Sequence, residues 1–345
     1  MATSGTYTNR TNRNEIINGA LRLLSAVDPE NTAGATSTQI TNGAEALNLM
    51  VKAFANKGLH IWERKYGVIF PQYSQGVYVL GSPGPAGDHA SLTSPLGAGF
   101  VATTLSSAAA SGATTISVTS VTSRVNTAGS TGTTITDTYA IGVELDDKTV
   151  QWTTVSGAPS GTTVTLATAL TGAAASGNAV YVYQTKLIRP LRINQAFIHD
   201  LDGDEGREIR VIPKDEYNNL SNKTAVGATV SVSYDPRINT GHLYVYPEFD
   251  RTDKLLYIEF QSPIEDFTSS THDYDMPQEF GELLKFQLAV RMAPEYEVPS
   301  SKFKQLVYLA DMAWDAADGY DQEYPSSVTF QPAPWGQGWS GSGWQ

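Results

Sequence analysis

Apolar residues recur at three- and four-residue spacing near both ends of the chain and alternate with polar ones through most of the middle. That pattern predicts helices at the ends and strands between them. Near the start, Asn12 and Glu15 stand three residues apart like a capping box, and Ile16, Ile17, Ala20, Leu21, Leu24 and Val27 follow at helical spacing, so a helix is expected over 13–27. Ser37 is placed to cap a second helix, with Ile40, Ala44, Leu47, Met50, Val51 and Phe54 inward and Gly58 at its end. In 276–319, Pro277 suits a first helical turn, where its missing N–H costs nothing, so a helix is expected from about Met276. Phe280, Leu283, Leu284 and Leu288 share its apolar face until the ring of Pro294 stops the run. A further helix starts near Val298 and Pro299, carries Phe303, Leu306, Val307, Leu309, Ala310, Ala313 and Trp314 as its stripe, and stops at Gly319. Each end of the chain therefore reads as an αα-hairpin.

Between these ends the period is two. Val68, Phe70, Val77 and Val79 suggest two strands before a loop rich in Gly, Pro and Ser over 81–97. Residues 98–187 are built from Thr, Ser, Ala, Gly and Val and are nearly free of charge. They contain the same five residues, AAASG, at 108–112 and 173–177, each followed by an alternating stretch. Strands at 116–118, 139–145, 149–155, 162–166 and 181–183 make this stretch an all-β sandwich or barrel. Further strands are expected at 208–212, 229–234, 243–246 and 255–260, with a short helix at 214–220. The simplest account joins 66–97 and 188–275 in one β domain, interrupted by the 98–187 unit. The last stretch, 320–345, has no period and spaces Phe330, Trp335, Trp339 and Trp344 among Gly and Ser, as aromatic anchors on a tail that orders on a partner. The expected fold class is α+β: helical hairpins at 1–65 and 276–319, a β domain, an all-β insertion and an extended tail.

Composition narrows the chemistry. The chain has 345 residues, enough for two or three domains, and no cysteine, which excludes disulfides, thiolate ligands and cysteine nucleophiles. No apolar run is long enough for a transmembrane helix, and the polar start does not read as a signal peptide. The formal net charge of −12 is concentrated at the end, where residues 188–345 hold 13 Lys and Arg against 25 Asp and Glu, and such a surface repels phosphate backbones. Arg10, Arg13 and Arg22 are a modest basic cluster that reads first as a solvated helix face.

The Asp200–Glu205 stretch, DLDGDE, suggests a calcium loop, yet places Glu205 where an EF-hand needs glycine and Val211 where it needs its final glutamate, so a solvated turn is favoured. Asp146 with Asp147, and Asp273 with Asp275, are the carboxylate pairs available for hydrolysis, and both have structural explanations beside a turn or a helix start. His60, His89, His199, His242 and His272 are isolated, so no zinc spacing is readable. The GxGxxG at 336–341 lacks a preceding strand and a following helix, and neither a P-loop nor a GxSxG occurs. No cofactor is expected.

The segment LLKFQLAVRMAPEYEVPSSKFKQLVYLADMAWDAA, with Arg291 to Tyr296 at its turn, together with IINGALRLLSAVD and FANKGLHIWERKYG, resembles the head-to-tail adaptor family of short-tailed bacteriophages, also called tail accessory factors or head completion proteins. The 98–187 unit looks like an immunoglobulin-like insertion. The resemblance covers roughly 1–80 and 188–325, and it implies a non-enzymatic virion protein. Such a protein forms a ring, typically a dodecamer, beneath the portal at the head-tail junction, after assembly in the host cytoplasm. Its partners would be the portal protein, neighbouring copies of itself, the next tail component (nozzle or tail hub) and tail fibres, with genomic DNA passing through the channel during ejection and no membrane contact. The tail residues Phe330, Trp335, Trp339 and Trp344 would dock on the portal. Phe280, Leu284, Leu288, Phe303, Leu306, Tyr308 and Trp314 would divide their apolar faces between the subunit's own core and its neighbours in the ring, and the inserted unit would project outward. Either Glu295 and Glu297 or the Asp311, Asp315 and Asp318 stripe would face the channel, an outer solvated face being the equal alternative for these acids. Two other classes are open: a tail-borne peptidoglycan hydrolase, from the paired acids, and a carbohydrate- or cell-surface-binding appendage on the β insertion.

Overall fold

The structure, a computed structural model, describes residues 11–28, 30, 34–54, 63–81, 88–93, 99–122, 133–200 and 206–320. Two helices open the chain, α1 (Arg13–Leu23) and α2 (Ser37–Phe54). Strands β1 (Arg64–Ile69), β2 (Val77–Leu80) and β3 (Ala90–Thr93) follow. A second group comprises β4 (Phe100–Thr104), β5 (Thr115–Ser117), β6 (Ala140–Glu144), β7 (Val150–Thr154), β8 (Thr163–Thr165) and β9 (Ala179–Tyr183). Then come β10 (Arg192–Asp200), β11 (Gly206–Val211), α3 (Lys214–Asn218), β12 (Val226–Gly227), β13 (Ser231–Pro236), β14 (Gly241–Tyr246), β15 (Glu248–Phe249) and β16 (Lys254–Gln261). The last helices are α4 (Phe280–Met292) and α5 (Ser300–Tyr320).

The expected fold class, α+β around a helical adaptor core of two αα-hairpins, is overturned. Strand outweighs helix, 33% against 27%, and the largest assembly is a barrel-like sheet of eight strands in the order β2-β14-β13-β11-β10-β16-β1-β3. The physical reason is range. Helical periodicity is complete within a few residues, whereas β1 finds its neighbour β16 almost two hundred residues away, Arg64 opposite Gln261, which no local pattern announces.

The chain divides into two compact units, 1–50 with 269–345, and 51–268. In the first, α1 and α5 each pack on α4, so helices from the two chain ends share one core rather than forming separate hairpins. Ile16, Ile17, Leu21, Leu47, Phe280, Leu283, Leu284 and Leu288 are buried in it. Gly43 of α2 makes room for Ile17, whose Cγ2 would lie 2.6 Å from a Cβ at that position. Helix α1 starts as its sequence suggests: the Asn12 side chain accepts from the Glu15 N–H at 3.0 Å, and the Glu15 carboxylate accepts from the Asn12 N–H at 2.9 Å. Helix α4 begins at Phe280 rather than Met276. Residues 277–280 close a turn through Phe280 N–H to the Pro277 carbonyl, and the Tyr274 hydroxyl donates to the Gln278 carbonyl.

In the second unit, period-two strands bury both faces. Leu256, Ile258 and Phe260 of β16 enter the core of the eight-stranded sheet with Ile69, Ala196 and Val245. Leu255 and Tyr257, on the other face, join Val68 and Phe70. The β4–β9 stretch forms a four-stranded sheet, β4-β9-β6-β7, and a β5-β8 pair around a core containing Val101, Ile116, Val143, Val164, Val180 and Val182. The repeated AAASG segments meet there. Ala109 and Ala174, equivalent positions, exchange backbone hydrogen bonds at 2.8 and 2.9 Å, while Gly112 and Gly177, both at positive φ, donate to Leu170 and Leu105. The echo is thus a local two-fold pairing inside this unit.

Candidate functional site

Among the described residues, an aromatic seam, an apolar helix face and a hairpin tip are the candidate features. The seam joins the faces of β1 and β16 to those of β4 and β9. Phe70 sits at its centre, with ring centroids 5.9 Å from Phe100, 5.5 Å from Trp152, 5.0 Å from Tyr181 and 5.6 Å from Tyr183. Trp152 lies across Gly142, its register partner on β6, where a Cβ would come within 2.8 Å of the indole. On its other side Trp152 stacks on His89 at 3.9 Å and 5°. The His89 Nδ1 is 2.7 Å from the Tyr183 hydroxyl, and burial, helped by the Lys186 charge, lowers its pKa to about 4. The imidazole is therefore neutral near pH 7. The Tyr181 hydroxyl donates to the Thr252 carbonyl. These aromatics pack on each other, so the β4–β9 unit is fixed to one face of the eight-stranded sheet.

The helix face belongs to α5. Leu306, Ala310 and Ala317 are buried at 2–4% exposure, and at 3.6 residues per turn the opposite side carries Tyr308, Leu309 and Met312, exposed by 65%, 40% and 53%. Those three residues face water with Asp311 and Asp315 beside them, both exposed. The hairpin tip lies between β13 and β14, where Ile238 is 94% exposed.

Of the residues expected to pack the ring or the subunit's own core, Phe280, Leu284, Leu288 and Leu306 are buried within their own unit. Phe303 and Trp314 are half-buried, which leaves Tyr308 as the one facing solvent. Glu295, Glu297, Asp311, Asp315 and Asp318 are exposed, with Glu297 at a left-handed φ of 47° after the short 3-10 turn Ala293–Tyr296. Phe330, Trp335, Trp339, Trp344, His60, Arg10, Gly58, the 336–341 glycines and the 201–205 loop lie outside the described residues. Among the described residues no group of three or more His, Asp or Glu could hold a metal ion.

The carboxylates of Asp146 and Asp147 serve as structural acceptors. Asp147 Oδ1 accepts from the Thr149 N–H and hydroxyl at 3.0 and 2.6 Å, which holds its carboxyl below the usual range. Asp146 Oδ1 accepts from the Ala175 N–H at 2.7 Å and Asn178 Nδ2 at 3.1 Å. Asp273 forms a β-bridge with Asn12 at the start of α1. Ile238 and Met312 were invisible to pattern reading, since a single apolar residue in a turn and one outside a helical stripe leave no period.

No protein-family model matches the chain, and no curated protein is similar to it. Among solved structures it is similar to VP17, a capsid protein of bacteriophage P23-77, at 11% identity over 61% of this chain and 78% of that one, with a TM-score of 0.11. A likeness of that size bears no weight on fold or function. No helix among the described residues is long and apolar enough to cross a membrane.

Proposed function

We propose that the chain is a structural protein of a bacteriophage virion, a head-to-tail adaptor that binds the portal, copies of itself and the next tail component, and catalyses nothing. The observation that carries this reading is the outward face of α5. A soluble domain leaves Tyr308, Leu309 and Met312 together in water only at a cost, and burial against a protein partner removes that cost. The sequence resemblance around Arg291 to Tyr296 falls directly before that helix and supports the same partner class. The net charge of −12 suits a wall past which DNA slides without adhering.

The hydrolase reading has no support in the site, since Asp146 and Asp147 are engaged by turn donors. For the carbohydrate-binding reading, Tyr183 is buried and the half-buried Trp152 is stacked on His89, so neither ring of the β insertion lies open as a sugar platform. The adaptor reading is tested by the oligomeric mass of the purified chain with and without portal protein. A ring that seats on the portal is expected, and a chain that leaves the portal unbound would contradict the adaptor role.

A further inference from the structure

The tip between β13 and β14 is held unusually firmly for a turn. The Arg237 N–H donates to the Thr240 carbonyl at 2.9 Å, and Arg189 Nη1 donates to the Arg237 carbonyl at 3.0 Å. The Arg237 guanidinium reaches Asp235 Oδ2 at 3.3 Å and the Tyr244 hydroxyl at 3.4 Å. At the base, the Tyr234 hydroxyl donates to the Pro190 carbonyl at 2.5 Å and lies where a Cβ at position 241 would be, so only Gly241 fits. A β-branched side chain, stiff at χ1, is thus presented on a braced loop with almost nothing covering it. Binding through such a knob loses little conformational freedom.

Helix α5 offers what the knob lacks. Its outer face is apolar at Tyr308, Leu309 and Met312 and carries Asp311 and Asp315 against the single exposed Lys304 one turn earlier, whereas Ile238 is apolar with the half-exposed Arg237 beside it, already facing Asp235. Apolar centre meets apolar centre, and the flanking charges are opposite. We infer that Ile238 of one copy seats on the Tyr308–Leu309–Met312 face of the next copy, with Arg237 directed at Asp311 and Asp315. The two surfaces differ, so the contact is heterologous: every copy has one of each, and the association propagates from copy to copy, as a ring where the rotation between copies closes and as a filament where it does not. This rests on the adaptor reading only in that it supplies the contact by which such a ring would close.

The absence of cysteine makes a direct test possible. Ile238→Cys chain mixed with Met312→Cys chain and mildly oxidised is expected to give a covalent dimer that neither chain gives alone. The double variant, carrying both halves, is expected to give a ladder of oligomers. Leu49→Cys, exposed on α2, replaces Met312→Cys as the control and is expected to give no product with Ile238→Cys. Arg237→Glu should weaken self-association on the order of tenfold, and Asp311→Arg on the partner should restore it. Rings without the disulfide, or equal crosslinking to the control, would overturn this contact and leave the adaptor reading standing. The disulfide without portal binding would sink the adaptor reading alone. A chain that stays monomeric with and without portal would remove both.

Discussion

The seam around Phe70 and the outer face of α5 are made of the same kinds of side chain and have opposite fates. Phe70, Tyr181 and Tyr183 are each no more than 4% exposed and surrounded by aromatic rings, whereas Tyr308 and Met312 are more than half exposed with the helix's own core behind them. The contrast teaches that apolar content does not distinguish a core from an interface. What distinguishes them is whether the chain supplies the second surface. For the seam it does, through β4, β9 and Trp152. For α5 the buried stripe at Leu306, Ala310 and Ala317 already satisfies the fold, so the second apolar face is surplus to stability.

The comparison breaks first at Phe70. Phe70→Ala should cost about 3–5 kcal/mol in urea denaturation, because four aromatic neighbours lose their common centre. Next is Gly142→Ala, expected to cost about 1–3 kcal/mol by pushing Trp152 off the strand, with the change in Trp fluorescence reporting that displacement. Acid gives a milder break at His89. Its folded pKa of about 4 lies below the ordinary 6.5, so the unfolded chain binds the extra proton first. Stability should be fully present above pH 6.5 and decline as pH falls toward 4, and His89→Gln should flatten that part of the profile in a series of denaturant midpoints. Last, Tyr308→Ser and Met312→Ser should alter stability by no more than about 0.5 kcal/mol while lowering the sedimenting oligomer. A large stability loss there would show that the α5 face belongs to the fold after all.

Some of this was readable residue by residue. Asn12 and Glu15 start α1 because a capping box is complete within four positions, and Pro294 divides α4 from α5 because its ring acts on the adjacent turn. The AAASG echo was visible as a repeat, though not as a pair whose copies exchange backbone hydrogen bonds at Ala109 and Ala174. Of the site, Tyr308 was singled out among ring-packing residues that are otherwise buried or half-buried, while Ile238 and Met312 gave no pattern to read.

By itself, then, the sequence determined which stretches are helical, where the alternating segments lie, the acidic balance of the last part and the lack of any thiol chemistry, all properties of near neighbours or of counting. Tertiary structure alone decided that the eight-stranded sheet dominates, that the β4–β9 unit is clamped by an aromatic seam, and that Ile238 and α5 keep apolar surface in water. Those outcomes depend on which distant segments pair and on which face of each element is covered. Helical and strand periods specify that a face is apolar, and only the packing of the remaining chain specifies whether that face is already occupied.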